Sequence, residues 1–158
     1  MNYNNQSQEE WEKQHKQIQM FRAYTMEWGN FHQNLMGSFP GWQNLKTGDV
    51  SKCDICTADK SCVGEIKNNI NTMNSSSKES VLAKLKKQKA LGTRAILVEV
   101  NGDRKTSTLD GIEFISGRTF YEELSGRPEF MDDLLATTNM CFKQFKTFDQ
   151  LKQCLGSV

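Results

Sequence analysis

The sequence predicts a mixed α/β fold with a small central sheet flanked by helices. Three observations carry that expectation: an N-terminal stretch with apolar residues at helical spacing, a mostly apolar run Ala95–Val100, rich in β-branched residues, that suits a buried strand, and the order helix, strands, helix, strand, helices along the chain. The 158 residues can bury one adequate core, so residues 1–158 are read as a single domain. A hydrophobic content of 37% and a mean hydropathy of -0.64 describe a polar chain. No apolar run approaches the ~20 residues needed to cross a bilayer, so no membrane partner is expected. The stretch MNYNNQSQEEWEKQHK lacks an apolar segment followed by small cleavage-site residues, which favours an intracellular, cytoplasmic location. Five cysteines, an odd number, argue against a disulfide framework. With 20 basic and 19 acidic residues the net charge is +1, so any contact with nucleic acid must rest on local patches.

Taken in order, residues 1–8 are rich in Asn, Gln and Ser and are expected to fray, because nothing apolar offsets the entropy of ordering them. Over 9–36 the residues Trp11, Ile18, Phe21, Met26, Trp28, Phe31 and Leu35 recur at roughly helical intervals, which predicts one or two helices with Gly29 as a kink or break. Gly37-Ser38-Phe39-Pro40-Gly41 stops them. The region 42–116 is the expected sheet core, in which VSKCDICT and SCVGEIK form a tight hairpin around Ala58-Asp59-Lys60. A polar Asn-rich loop follows, then a helix capped by Ser76 or Ser77, running to about Leu91 and ended by Gly92. Ala95–Val100 is expected to be a central strand covered on both faces, and Asn101-Gly102-Asp103 a sharp turn. Gly111–Ile115 reads as a further strand. The region 117–158 is expected to be helical: Thr119–Leu124 closed by Gly126, Pro128 to about Ala136, and a last helix started by the capping box Thr147-Phe148-Asp149-Gln150.

The segment CDICTADKSCVGEIKNNINTMN admits two chemistries. Cys53, Cys56 and Cys62 resemble part of a zinc knuckle, but a structural zinc needs four ligands. His15 and His32 sit on the N-terminal helix, Cys141 and Cys154 are distant, and strand alternation would place Cys53 with Ile55 and Asp54 with Cys56 on opposite faces. Simple burial explains these cysteines better. The carboxylates read differently. Alternation sets Val63, Glu65 and Lys67 on one face, and the hairpin brings Asp54 toward Glu65. Two carboxylates ~4 Å apart repel by about 4 kcal/mol at an effective dielectric of 20 unless a cation lies between them. Mg²⁺ suits such a pair, with a substrate phosphate completing its shell. Lys67 is then placed to orient or deprotonate the attacking water, or to stabilise charge on the phosphate. The competing explanation of Glu65 and Lys67 is an ordinary solvated strand face.

The run GEIKNNINTMNSSSKESVLAKL resembles a signature of certain type II restriction endonucleases of the PD-(D/E)xK nuclease superfamily, and DGIEFISGRTFYEEL resembles the strand and helix that follow it there. The match spans roughly residues 46–100. It implies a restriction-endonuclease-like core, Mg²⁺-dependent hydrolysis of phosphodiester bonds in double-stranded DNA at a short specific site, a homodimer, and no organic cofactor. By position, Asp54 and Glu65 would be the metal-binding carboxylates and Lys67 the catalytic lysine, with Asp49 competing for the first role. Asn68, Asn71, Thr72, Asn74, Ser75, Ser76, Ser77 and Lys78 match the signature's loop and helix start and become the candidate DNA contacts. Asn69 and Ile70 depart from it.

The helix after the loop carries Lys78, Lys84, Lys86, Lys87 and Lys89 around a buried stripe of Val81, Leu82 and Leu85. Those lysines are either a solvated face or phosphate contacts whose affinity falls with salt. The aromatic set Trp11, Phe21, Tyr24, Trp28 and Phe31 reads as core or dimer packing, and Glu27 is a further acidic candidate near the metal. Three rivals stay open: a non-catalytic DNA-binding domain of the same fold, a structure-specific repair or junction nuclease, and a zinc-stabilised binding module.

Overall fold

The computed structural model describes residues 8–45, 48–68, 75–102 and 106–144. Helix α1 (Gln8–Gly37) is followed by strands β1 (Trp42–Asn44), β2 (Ile55–Thr57) and β3 (Cys62–Lys67), then helix α2 (Ser75–Ala90) and strands β4 (Arg94–Glu99), β5 (Ser107–Leu109) and β6 (Ile112–Ser116). Helices α3 (Gly117–Ser125) and α4 (Phe130–Gln144) follow. The strands form one six-stranded mixed sheet in the order β1-β2-β3-β4-β6-β5. The central pairs β3–β4 and β4–β6 are parallel and the outer pairs antiparallel.

Parallel neighbours require crossovers, and α2 supplies the one between β3 and β4. It packs Val81 and Leu85 on one face of the sheet, against Cys53, Cys56, Val63, Ala95, Leu97, Ile112 and Phe114. The other face carries Ile55, Cys62, Ile66, Ile96, Val98 and Ile115 beneath Met36 of α1, Phe120 and Tyr121 of α3 and Met131 of α4. β4 is buried on both sides, as its β-branched run predicts.

Several elements differ from the sequence expectation. α1 is continuous through Gly29, since the roughly 1 kcal/mol that glycine costs in a helix is offset by the packing of the helix's C-terminal end. VSKCDICT is a strand only from Ile55, because residues 48–54 are coiled by a turn at Asp49; Cys53 and Cys56 therefore share one face and Ile55 takes the other. α2 begins at Ser75, so Ser76 and Ser77 lie inside its first turn rather than at its cap. α4 extends to Gln144, beyond the expected end near Ala136. α3 begins at Gly117 rather than the expected Thr119, because the Ser116 side chain caps it by accepting from the Thr119 backbone N–H; Gly126 at φ 69 closes it, as expected. The expected fraying at 1–7 and the capping box at 147–150 lie outside the described residues.

Candidate active site

Asp54 is fixed by the turn that shortens β2. Asp49 Oδ1 accepts from Ser51 N at 2.8 Å and from Ser51 Oγ at 2.6 Å, and Lys52 takes φ 55. The chain then meets β3: Asp54 N donates to Gly64 O at 2.9 Å, while Leu45 N and Gln33 Nε2 donate to Asp54 O at 2.9 and 3.2 Å. The Asp54 side chain replaces a ladder partner, with Oδ2 accepting from Ile66 N at 2.8 Å. Continuing the β2–β3 register by one step sets Asp54 opposite Glu65. Asp49, by contrast, turns back on its own loop, and the hydrogen bonds from Ser51 hold its carboxyl below the usual range.

Glu65 is the buried member of the pair, its residue 2% exposed. Its strand alternation points it, with Val63 and Lys67, to the α2 side. Lys67 Nζ donates to Oε1 at 2.7 Å, and Lys84 Nζ of α2 lies 2.5 Å from Oε2. The second contact is an ion pair without hydrogen-bond angles, so Oε2 is buried with no hydrogen-bond partner. Burial, and then the Glu65 charge, push the Asp54 carboxyl above its ordinary value against the opposing pull of Ile66 N–H, Lys67 and Lys84. Two neighbouring carboxylates, one buried and the other made costlier as an anion by its neighbour, suit a hard divalent cation of the Mg²⁺ type, which needs only one or two carboxylates besides water and phosphate.

A family model described as Eco47II restriction endonuclease matches residues 1–144. The chain belongs to the Eco47II restriction endonuclease family. This is a type II restriction endonuclease family, so the protein is a nuclease whose substrate is DNA, and the six-stranded mixed sheet between helices is consistent with a restriction-endonuclease-like fold. No curated protein and no solved structure matches the chain. Among the described residues no helix is long and apolar enough to cross a membrane.

In this Eco47II family member the zinc reading fails on geometry. Cys53 and Cys56 sit on the α2 face of the sheet and Cys62 on the opposite face. Burial pushes the Cys53 thiol up to about 11 and the Cys62 thiol up to about 12, as expected of cysteines that pack in the core. Among the described residues no group of three or more His, Cys, Asp or Glu side chains is placed to hold a metal. His32 is instead a core residue, bonded to Tyr121 OH at 2.8 Å and held by burial at about 4. Glu27 is exposed on α1, whose Leu35 and Met36 pack on the face opposite Glu65.

Of the candidate DNA contacts, Asn68 directly follows β3, its Oδ1 accepting from Asn101 Nδ2 at 3.2 Å. Ser76, Ser77 and Lys78 are exposed on the first turn of α2, and Ser75 opens that helix. Asn71, Thr72 and Asn74 lie outside the described residues. Lys86 pairs with Asp110 at 2.8 Å on the surface.

Two residues beside the site were not singled out from the sequence. Lys84 was one of five helix lysines; its place three residues after Val81 and next to Leu85, at the edge of the buried stripe, is the signal that turns it toward the sheet. Glu99 is buried at the end of β4 and registers with Lys67 across the parallel pair, on the same face. A lone acid in the apolar run ILVEV is its only trace in the sequence.

Proposed function

We propose that this restriction endonuclease hydrolyses phosphodiester bonds of double-stranded DNA at a short specific site, with Mg²⁺ held by Asp54 and Glu65 and with Lys67 as the catalytic lysine. The observation that carries this reading is the convergence of Asp54, Glu65 and Lys67 at the β2–β3 hairpin, with Asp54 destabilised as an anion by burial beside Glu65. Mg²⁺ would supply charge neutralisation at the phosphate and a more acidic water.

The chain's own residues do the rest. The Ile66 N–H holds Asp54 Oδ2 toward β3, so the first carboxylate is aimed before any ligand arrives. β3 is clamped between β2 and β4, which fixes Glu65 and Lys67 to a rigid strand rather than a loop. Lys67, about a quarter exposed, holds its Nζ 2.7 Å from Glu65 Oε1 and would orient the attacking water or stabilise charge on the phosphate oxygens. In the chain, Asn68, Asn71, Thr72, Asn74, the serines 75–77 and Lys78 follow β3, and their amides, hydroxyls and ammonium are the groups that would make phosphate and base-edge hydrogen bonds. A homodimer would present two such sites to a symmetric DNA sequence.

The test is cleavage of supercoiled plasmid and unmethylated genomic DNA with Mg²⁺ or with EDTA. Discrete fragments that require Mg²⁺ and disappear in Lys67→Ala and Glu65→Ala are expected. Intact DNA bound without cleavage would favour a non-catalytic domain, and cutting confined to branched substrates would favour a junction nuclease.

A further inference from the structure

Glu65 is answered by two ammonium groups, and only Lys67 belongs to the motif proposed above. Lys84 comes from α2, and its Nζ has two oxygen neighbours. It donates to the backbone oxygen of Lys52 at 2.7 Å, and it lies 2.5 Å from Glu65 Oε2. Lys52 O belongs to the loop that carries Asp54, and Glu65 to the strand opposite. One ammonium thus ties together the two segments whose carboxylates form the proposed metal site. It does so with the hard oxygen donors a divalent cation would use, and its contact with Oε2 lacks hydrogen-bond angles. The lysine side chain is 24% exposed, so the ammonium has a path to solvent and to a ligand at the surface.

We infer that Lys84 is a placeholder cation: it neutralises Glu65 in the metal-free enzyme, competes with Mg²⁺ for that carboxylate, and gives way when DNA phosphate draws its ammonium off. The inference rests on Glu65 being a metal ligand. Its physical content is a competition. A cation bound at Glu65 and an ammonium 2.5 Å from the same oxygen repel each other, so one must withdraw. Lys84 sits on a helix whose first turn carries exposed Ser76, Ser77 and Lys78, and a phosphate reaching that surface offers the ammonium a new partner. By linkage, DNA that binds Lys84 tightens Mg²⁺ binding, and Mg²⁺ tightens DNA binding by the same factor. The enzyme is then poorly loaded with metal until its substrate is present.

The test titrates Mg²⁺ alone into the full-length, DNA-free protein and follows binding by calorimetry, for wild type, Lys84→Met, Lys84→Gln and Glu65→Gln. Thermal melts confirm that each variant is folded, and the two Lys84 variants guard against a packing artefact in either one. Removing the competing ammonium is expected to tighten Mg²⁺ binding by about tenfold in both Lys84 variants, equivalent to about 1.4 kcal/mol. Glu65→Gln is expected to abolish it. Unchanged or weaker Mg²⁺ binding in both Lys84 variants, with Glu65→Gln still abolishing it, would overturn the placeholder role and leave the metal site standing. Binding in Glu65→Gln equal to wild type would remove the metal-site reading and the inference with it.

Discussion

Replacing the two adjacent carboxylates by their amides is expected to move stability in opposite directions. Glu65 has a side chain only 3% exposed, with ammonium groups at 2.7 and 2.5 Å. In Glu65→Gln the single side-chain oxygen can accept from one lysine, while the new NH₂ confronts the other. A hydrogen bond to a charged group contributes about 1.5–3 kcal/mol. The lysines are 28% and 24% exposed and can turn to water, which leaves a net loss of roughly 1–2 kcal/mol. For a chain of this length each kcal/mol moves Tm by roughly 2–4 °C, so a fall of about 2–8 °C is expected. Asp54 has no such pairing: burial and the Glu65 charge raise its carboxyl above the ordinary value. Asp54→Asn keeps an oxygen to accept from Ile66 N–H and removes the charge, so the metal-free protein is expected to melt higher at neutral pH. The sign follows from linkage. Native Asp54 keeps its proton to a higher pH than the unfolded chain does, so stability declines as pH rises from the ordinary carboxylate range through the raised value. The Asp54→Asn protein is expected to lack that decline. Thermal melts of metal-free protein from about pH 4 to about pH 8 decide the matter. A Glu65→Gln protein as stable as wild type, or an Asp54→Asn protein less stable, would refute the reasoning.

Other expectations concern the frame around the site. A Cβ on Gly64 would sit 3.0 Å from Ile55 Cγ1 and 3.1 Å from Ile96 Cγ1, both on fully buried residues, so Gly64→Ala is expected to cost about 1–3 kcal/mol in a denaturant titration. It should also slow cleavage, since Glu65 is the next residue. His32 stays neutral in the fold down to about 4, whereas its unfolded value is 6.5; stability is therefore lost as pH falls from 6.5 toward 4, by about 3 kcal/mol at most. Melts of His32→Gln over that range should be flatter than those of wild type. Lys67→Met should retain a wild-type circular dichroism spectrum while losing cleavage, because its side chain is partly exposed and packs in neither core.

The parts of the fold that were legible in the sequence are those whose residues commit to one environment. β4 announced itself by its apolar run Ala95-Ile96-Leu97-Val98, α3 by its glycine stop, and β3 by the alternation of Val63, Glu65 and Lys67. The edge strands β1 and β5 were not, because Gln43, Asn44, Ser107 and Thr108 are exposed and carry no alternating signal. At the candidate site the hairpin arithmetic that pairs Ile55 with Gly64 also brings Asp54 to Glu65, so that approach was readable. What was not readable is how Asp54 gets there. The Asp49 turn breaks the strand before it, which also reversed the expected facing of Cys53 and Ile55. Lys84 and Glu99 reach the site through a crossover helix and a parallel neighbour, relations that depend on tertiary packing and leave little local pattern.

The central claim is that Asp54, Glu65 and Lys67 act as one hydrolytic unit, and single-turnover cleavage of one DNA substrate in Mg²⁺ tests it most directly. Glu65→Gln and Lys67→Met are each expected to slow cleavage by about 10²–10⁴-fold. The double variant should be no slower than the slower single, as residues of one unit behave. Cleavage at the wild-type rate by either single variant would contradict the account.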